Sequence, residues 1–251
     1  MNSDVAREYD RLANRFADWR PSRHFEAIFE ETVLATVGGY SGSGLNLLDA
    51  GCGHGTWLGR VLDFAAANQI DIAATGVDIS ERRIAIARSQ IGLRTGLTLL
   101  CGDLGQVPLA RPLDIVYSAE VFQHLSDRLQ VDLLRRWLDV LKPGGAVIVI
   151  DKDRRSVHSI KAEVQKRTGR IGRRLLGIFP EDYARLFATI RYPSFTHMVR
   201  AGKEIGFRAN PLLRAGEFTA MKLVKPALAS SINQPSSIKE EAGNYHTDAI
   251  A

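Results

Sequence analysis

The chain has 251 residues, 45% of them hydrophobic, and a net charge of +5, enough for one large α/β domain with a full core. It holds no apolar run near the roughly 20 residues of a membrane span, and its charged start, MNSDVAREYDRLANRF, lacks a signal-peptide core. Its two cysteines, Cys52 and Cys101, show neither disulfide-framework nor metal-ligand spacing, so a cytoplasmic setting is expected.

Residues 1–40 are predicted to form a helical lid. Tyr9, Leu12, Phe16 and Trp19 recur at helical spacing, Pro21 interrupts, and Phe25, Ile28, Phe29 and Val33 mark a second helix. The core is expected over 41–226. LNLLDAG is a short apolar run ending in glycine, as a buried parallel strand would be. A helix follows from Thr56 to Asn68, then the strand AATGVDIS, the helix RRIAIARSQ and the strands LTLLCGD and LDIVYSAE. VDLLRRWLDVL is the next helix, Lys142-Pro143-Gly144-Gly145 a turn, and AVIVID the fifth strand. Such alternation predicts a parallel sheet with helices on both faces.

Past Asp151 the alternation stops, and 152–193 reads as an insert. Between Lys152 and Arg174 it carries nine Lys and Arg, Arg154, Arg155, Arg170 and Arg173 among them, against Asp153 and Glu163. Such a block is either a solvated helix face or a surface for an anionic partner. Phe179, Tyr183, Phe187, Tyr192 and Phe195 then suit a partly apolar pocket. SFTHMVRAGKEIGF returns as a core helix. FRANPLL, where Pro211 marks an edge or bulge, and EFTAMKLVKP are predicted to pair antiparallel about Gly216. Residues 227–251 lack apolar periodicity and are predicted to be disordered.

The segment Asp49-Ala50-Gly51-Cys52-Gly53-His54-Gly55 opens from a strand into a helix. Its glycines can take positive φ and let a ligand approach the backbone, and the helix N-terminus adds partially positive N–H groups. Asp78 ends the second strand, where a carboxylate can accept from ribose hydroxyls. Asp103 ends the third, near the place of an adenine. A strand-end Asp by itself is usually a helix cap; two behind a glycine-rich first turn suggest a nucleoside.

These residues resemble the class I, S-adenosylmethionine (SAM)-dependent methyltransferases: Asp49–Gly55 their DxGxGxG motif, Asp78 and Gly102-Asp103 their strand-end acids, and Lys142–Gly145 the turn before their fifth strand. The resemblance implies a Rossmann-like α/β fold, with a seven-stranded, mostly parallel sheet ordered 3-2-1-4-5-7-6 and its last strand antiparallel. It further implies SAM as cofactor, with Asp49, Gly51, Gly53 and Gly55 against the methionine portion and Asp78 on the ribose. Ile79, Asp103 and Leu104 would frame the adenine and Glu120 would lie beside the sulfonium. An N-terminal aromatic, Tyr9, would cover the cofactor, and Arg23, preferred over Arg20, would bind its carboxylate. A nicotinamide dehydrogenase would need glycine at position 56, which is Thr56. A catalytically silent SAM-binding protein is the alternative outside enzymes.

Methyl transfer is an in-line displacement that can require a base. His124, just past the fourth strand, is the candidate. His197 is expected to reach the same pocket and His158 to be exposed. Asp151 and Asp153 lie two apart between Lys152 and Arg154, which argues against a metal. The insert is expected to select the acceptor: a small molecule or the sugar of a saccharide or glycolipid precursor, anionic if the basic block meets it, with O-methylation favoured. Nucleic acid is disfavoured, because SAEV stands where an NPPY-type motif would lie. Protein acceptors remain an alternative, membrane contact is expected to be peripheral at most, and oligomeric state is open.

Overall fold

The computed structural model describes residues 3–17, 21–40, 44–109, 112–176 and 183–227, with backbone alone for 3, 17 and 169–176. Trp19, Arg20, Phe179, the side chains of Arg170, Arg173 and Arg174, and all but the first residue of the expected disordered segment lie outside this description.

The expected alternation is present. Strands β1 (Leu45–Ala50), β2 (Ile72–Asp78), β3 (Leu97–Cys101), β4 (Leu113–Ala119) and β5 (Leu141–Lys152) run parallel, separated by helices α4 (Thr56–Ala67), α5 (Glu81–Ile91) and α6 (Asp127–Val140). β8 (Phe218–Val224) lies antiparallel beside β5, giving the order β3-β2-β1-β4-β5-β8-β6. The expected sixth strand is two pieces, β6 (Arg208–Ala209) and β7 (Leu213–Ala215), both antiparallel to β8. Pro211 stands between them, so the sheet has eight strands in place of seven; proline has no N–H to continue a ladder.

Strand side chains alternate between two apolar layers, as the pleat requires. Leu47, Tyr117, Ile148 and Ile150 face α4, α5 and the N-terminal segment; Leu48, Val116, Val147 and Val149 face α6 and α9 (Phe195–Glu204). Trp137 and Phe195 are fully buried in the second layer. Phe25, Ile28, Phe29, Val33 and Val37, on the helical stretch α2 (Arg23–Phe29) to α3 (Ala35–Gly38), are fully buried in the first. That stretch is therefore a wall of the core, and only α1 (Ser3–Ala17) occupies the place expected of a lid. Truncating a buried Phe of this kind costs about 3–5 kcal/mol.

Lys142–Gly145 is part of β5, not a turn before it. Leu113 pairs with Leu141 and Ile115 with Ala146, so β5 bulges outward against β4. Gly144, at φ +83, and Gly145 bond with Lys225 across the bulge.

Between β5 and α9 lie α7 (Val157–Leu176) and α8 (Ala184–Thr189). Ala162, Phe187, Ile190 and Tyr192 form a small apolar cluster that joins them.

Candidate active site at the strand ends

β1 stops at Gly51, where φ is +98 and both Gly51 and Cys52 donate their N–H to the Val77 carbonyl. Gly53 and Gly55 are also left-handed, at φ +56 and +81. A Cβ on Gly51 would lie 2.2 Å from Val121 Cγ2, and one on Gly55 2.4 Å from Ile91 Cδ1. The turn therefore admits only glycine at these positions. Helices α2, α5, α6 and α9 each begin at a serine whose Oγ accepts a backbone N–H, whereas α4 begins at Gly55 with no side-chain cap. Its first N–H groups stay available to an anionic ligand group.

Asp78, buried at the end of β2, accepts from Gly53 N at 3.0 Å and Ser80 N at 2.9 Å, and its carboxylate meets Arg83 at 3.4 Å. It thereby fixes the glycine turn. Arg83 lies over the Tyr9 ring, 4.6 Å from its centroid, with Nε buried and unpartnered. Asp49 accepts from the Tyr117 hydroxyl at 2.6 Å, and burial above all raises its pKa to about 7.

Helix α1 crosses over these groups. Asp10 accepts from Ser80 Oγ at 2.5 Å and from Arg82 N at 3.2 Å, which anchors the helix to the β2–α5 turn. Tyr9 Oη and His124 Nε2 lie 2.6 Å apart. His124 is on a short 3-10 turn, Phe122–His124, and its Nδ1 is buried without a partner. Burial, then the charges of Arg83, Lys152 and Lys166, depress its pKa to about 3. Glu120, the residue after β4, is left-handed at φ +56 and paired to Lys152. Such a conformation in a non-glycine residue is a local strain of the kind that collects at functional sites.

These groups line one cavity of about 630 Å³, within the usual size of small-molecule sites. One end holds Asp49, Gly51, Asp78, Ile79, Arg83 and Leu104; the other holds Lys152, His158, Tyr183, Leu186, Phe187 and Ile190. Tyr9, Glu120 and His124 lie on the wall as well.

Four of the expected cofactor residues do not line the cavity: Gly53 and Gly55, which shape the turn, and Arg23 and Asp103. Arg23 is exposed on α2, whose buried face is set by Phe25 and Ile28, and it does not line the cavity. Asp103 is off the wall, its Oδ1 turned back to accept from Gly105 N at 2.8 Å. That short range is the ordinary habit of Asp in turns. The two outer histidines exchange places: His158 is on the wall and His197 is not. Tyr183 and Phe187 line the cavity, while Phe195 is in the sheet core. Arg83 and Lys152 were not expected at the site. Arg83 follows Asp78 by five residues, so its place in the first turns of α5 was the only available signal.

Residues 47–145 match a family of methyltransferase domains. Phosphoethanolamine N-methyltransferase 3 of Arabidopsis thaliana is 29% identical over 164 residues, covering 59% of this chain and 32% of that protein. A hydroxymycolate synthase of Mycobacterium bovis is 26% identical over 165 residues, covering 65% and 52%. The chain thus spans about a third to a half of the length of these relatives. Magnesium protoporphyrin IX methyltransferase of Synechocystis, with bound S-adenosylhomocysteine, superposes with a TM-score of 0.63 at 17% identity over 88% of this chain and 98% of that one. The N-methyltransferase NodS of Bradyrhizobium japonicum, with the same ligand, gives 0.61 at 16% identity over 89% and 100%. At these identities the structural likeness establishes the fold.

Proposed function

We propose that the chain is a class I, SAM-dependent methyltransferase, a reading supported by the methyltransferase-domain match over residues 47–145, and that it methylates a hydroxyl of a small molecule, such as the sugar of a saccharide or glycolipid precursor. The observation that carries this reading is one cavity shared by the glycine-turn groups and the insert, with His124, whose buried Nδ1 has no hydrogen-bond partner, on its wall.

The cofactor end fits SAM: a Cβ-free turn, an uncapped helix start and a buried Asp78 suit its amino-acid and ribose portions. When bound, SAM supplies an electrophilic methyl group on a sulfonium. α1 acts as the lid, holding Tyr9 over the site and excluding water. At the other end, Leu186, Phe187 and Ile190 take an apolar portion of the acceptor, and Lys152 with Glu120 takes its polar head. His124, with Nε2–H donating to the Tyr9 oxygen, presents Nδ1 to the acceptor hydroxyl. A base with a pKa near 3 leaves an alcohol protonated at first. As the C–O bond forms, however, the oxygen becomes a far stronger acid than imidazolium, and the proton passes to Nδ1 late in the displacement.

The described basic block does not carry an anionic acceptor in this reading: of Lys152, Arg154, Arg155, Lys161, Lys166 and Arg167, only Lys152 lines the cavity. An amine acceptor is the second reading, favoured by Glu120 and Glu217 on the wall. Calorimetry should show S-adenosylhomocysteine binding. Mass spectrometry of reactions with sugar-lipid, phosphorylated and amine acceptors should show methyl ethers. Exclusive N-methylation would transfer the assignment to the second reading, and binding of NADH in place of S-adenosylhomocysteine would overturn both.

A further inference from the structure

The outward face of α7 carries a feature that the site does not use. Val157, Ile160 and Val164 are 66%, 53% and 45% exposed, three of the five large exposed hydrophobics among the described residues. Their spacing of three and four places them on one side of the helix. The opposite side, with Ser159, Ala162 and Gln165, is buried. A solvated helix face would carry polar residues at these positions. The same period continues in sequence through Ile171 and Leu175.

Cations flank the stripe. Arg155 and Lys161 are exposed and pair with no acid among the described residues, while Arg167 shares Glu163 with Lys166. Nine of the chain's Lys and Arg fall between 152 and 174 against two acids, although the whole chain is only +5. The positive charge is therefore concentrated on this one segment, beside aliphatic side chains that water solvates poorly.

We propose that α7 docks on an anionic lipid surface, with Val157, Ile160 and Val164 entering the acyl boundary and the flanking Lys and Arg meeting the headgroups. Aliphatic residues on one face of a basic helix are what interfacial insertion requires, and each cation near an anionic leaflet adds attraction that salt screens. A nucleic acid would use the cations but have no place for three exposed β-branched side chains. His158, on the same helix, lines the cavity, so docking sets the acceptor end beside the bilayer. The docking itself rests only on the face of α7 and holds whatever the acceptor is.

The test is co-sedimentation of the full chain with phosphatidylglycerol-containing vesicles and with pure phosphatidylcholine vesicles. Binding is expected only to the anionic vesicles, falling several-fold as salt rises from about 0.1 to 0.5 M. The triple variant V157S/I160S/V164S should weaken it by about tenfold or more, with S-adenosylhomocysteine affinity and melting temperature unchanged. R155E/K161E should weaken it through charge alone. Three results would each overturn the proposal: no sedimentation with anionic vesicles, equal binding by the serine variant, or a wild-type dimer in light scattering that the serine variant makes monomeric. Binding to an RNA oligonucleotide that competes with vesicles and survives the serine substitutions would likewise replace the membrane by a nucleic acid.

Discussion

His124 is half-buried on the cavity wall near the cations Arg83, Lys152 and Lys166, and among the described residues its side chain hydrogen-bonds only to Tyr9, 115 positions earlier in sequence. Asparagine at this position keeps a polar group toward Tyr9 but has no ring nitrogen. His124→Asn should leave the dissociation constant for S-adenosylhomocysteine nearly unchanged and lower kcat by about 10²–10⁴-fold. A parallel loss of affinity would make the histidine a wall of the cofactor site only. Its depressed pKa also fixes a pH dependence. The imidazole binds its proton more readily unfolded than folded, so its stabilising contribution is full above about 6.5 and is lost as pH falls toward about 3. kcat should accordingly lack an inflection near 6.5. Asp49 has the opposite sign: raised from 3.8 to about 7, its contribution is present below about 4 and lost as pH rises through 7. For the ligand-free protein, Asp49→Asn should therefore gain stability relative to the parent between pH 5 and pH 8, on the order of 2–4 kcal/mol. Denaturant melts at the two pH values measure it, and a pH-independent difference would contradict the assigned burial cost.

At the scale of elements, the glycine turn is where backbone shape and site coincide. Gly51→Ala places a methyl group against Val121, next to Glu120, and should cost roughly 2–4 kcal/mol together with most of the S-adenosylhomocysteine affinity. Gly92, at φ +72 and ψ −168, lies in a region that only glycine readily adopts but has nothing within 4 Å, so Gly92→Ala should cost about 1–3 kcal/mol through backbone strain alone and leave binding intact. The contrast between the two, read by melting curves and calorimetry, separates backbone strain from steric closure of the site. This turn was legible in sequence because strand, glycines and helix follow one another without a break. So were the five parallel strands, whose apolar runs are bounded by glycines and acids. What escaped depends on distant partners. Nothing local says that α2 packs against β7 and β8 while α1 crosses the strand ends, since both show the same amphipathic period. Arg83 reads as one more surface arginine until Asp78 and Tyr9 close on it. His158 and His197 are each flanked by polar and apolar residues alike, and only the packing of α7 and α9 decides which reaches the cavity. The split of β6 from β7 was foreshadowed by Pro211, but a proline marks a break without giving its length.

Across the whole molecule, the two apolar layers contain no residue of α1, although Val5, Leu12 and Ala13 are buried beneath it. Removal of residues 1–17 should therefore leave a folded domain with a modestly lowered melting temperature. Its affinity for S-adenosylhomocysteine should fall by about tenfold or more, since Tyr9 and Phe16 leave the cavity wall and Arg83 loses its aromatic cover. Failure of the shortened chain to fold would place α1 in the core after all. The sheet order has another consequence, in the timing of synthesis. β5 is complete at Lys152, yet the strand that covers its outer edge, β8, begins only at Phe218. At ribosomal rates of about 5–20 residues per second, the Ala146–Ile150 run remains an open apolar edge for several seconds while α7, α8 and α9 emerge. An uncovered edge of that kind recruits other chains, so this protein should depend on nascent-chain chaperones most during the interval between its fifth strand and its eighth.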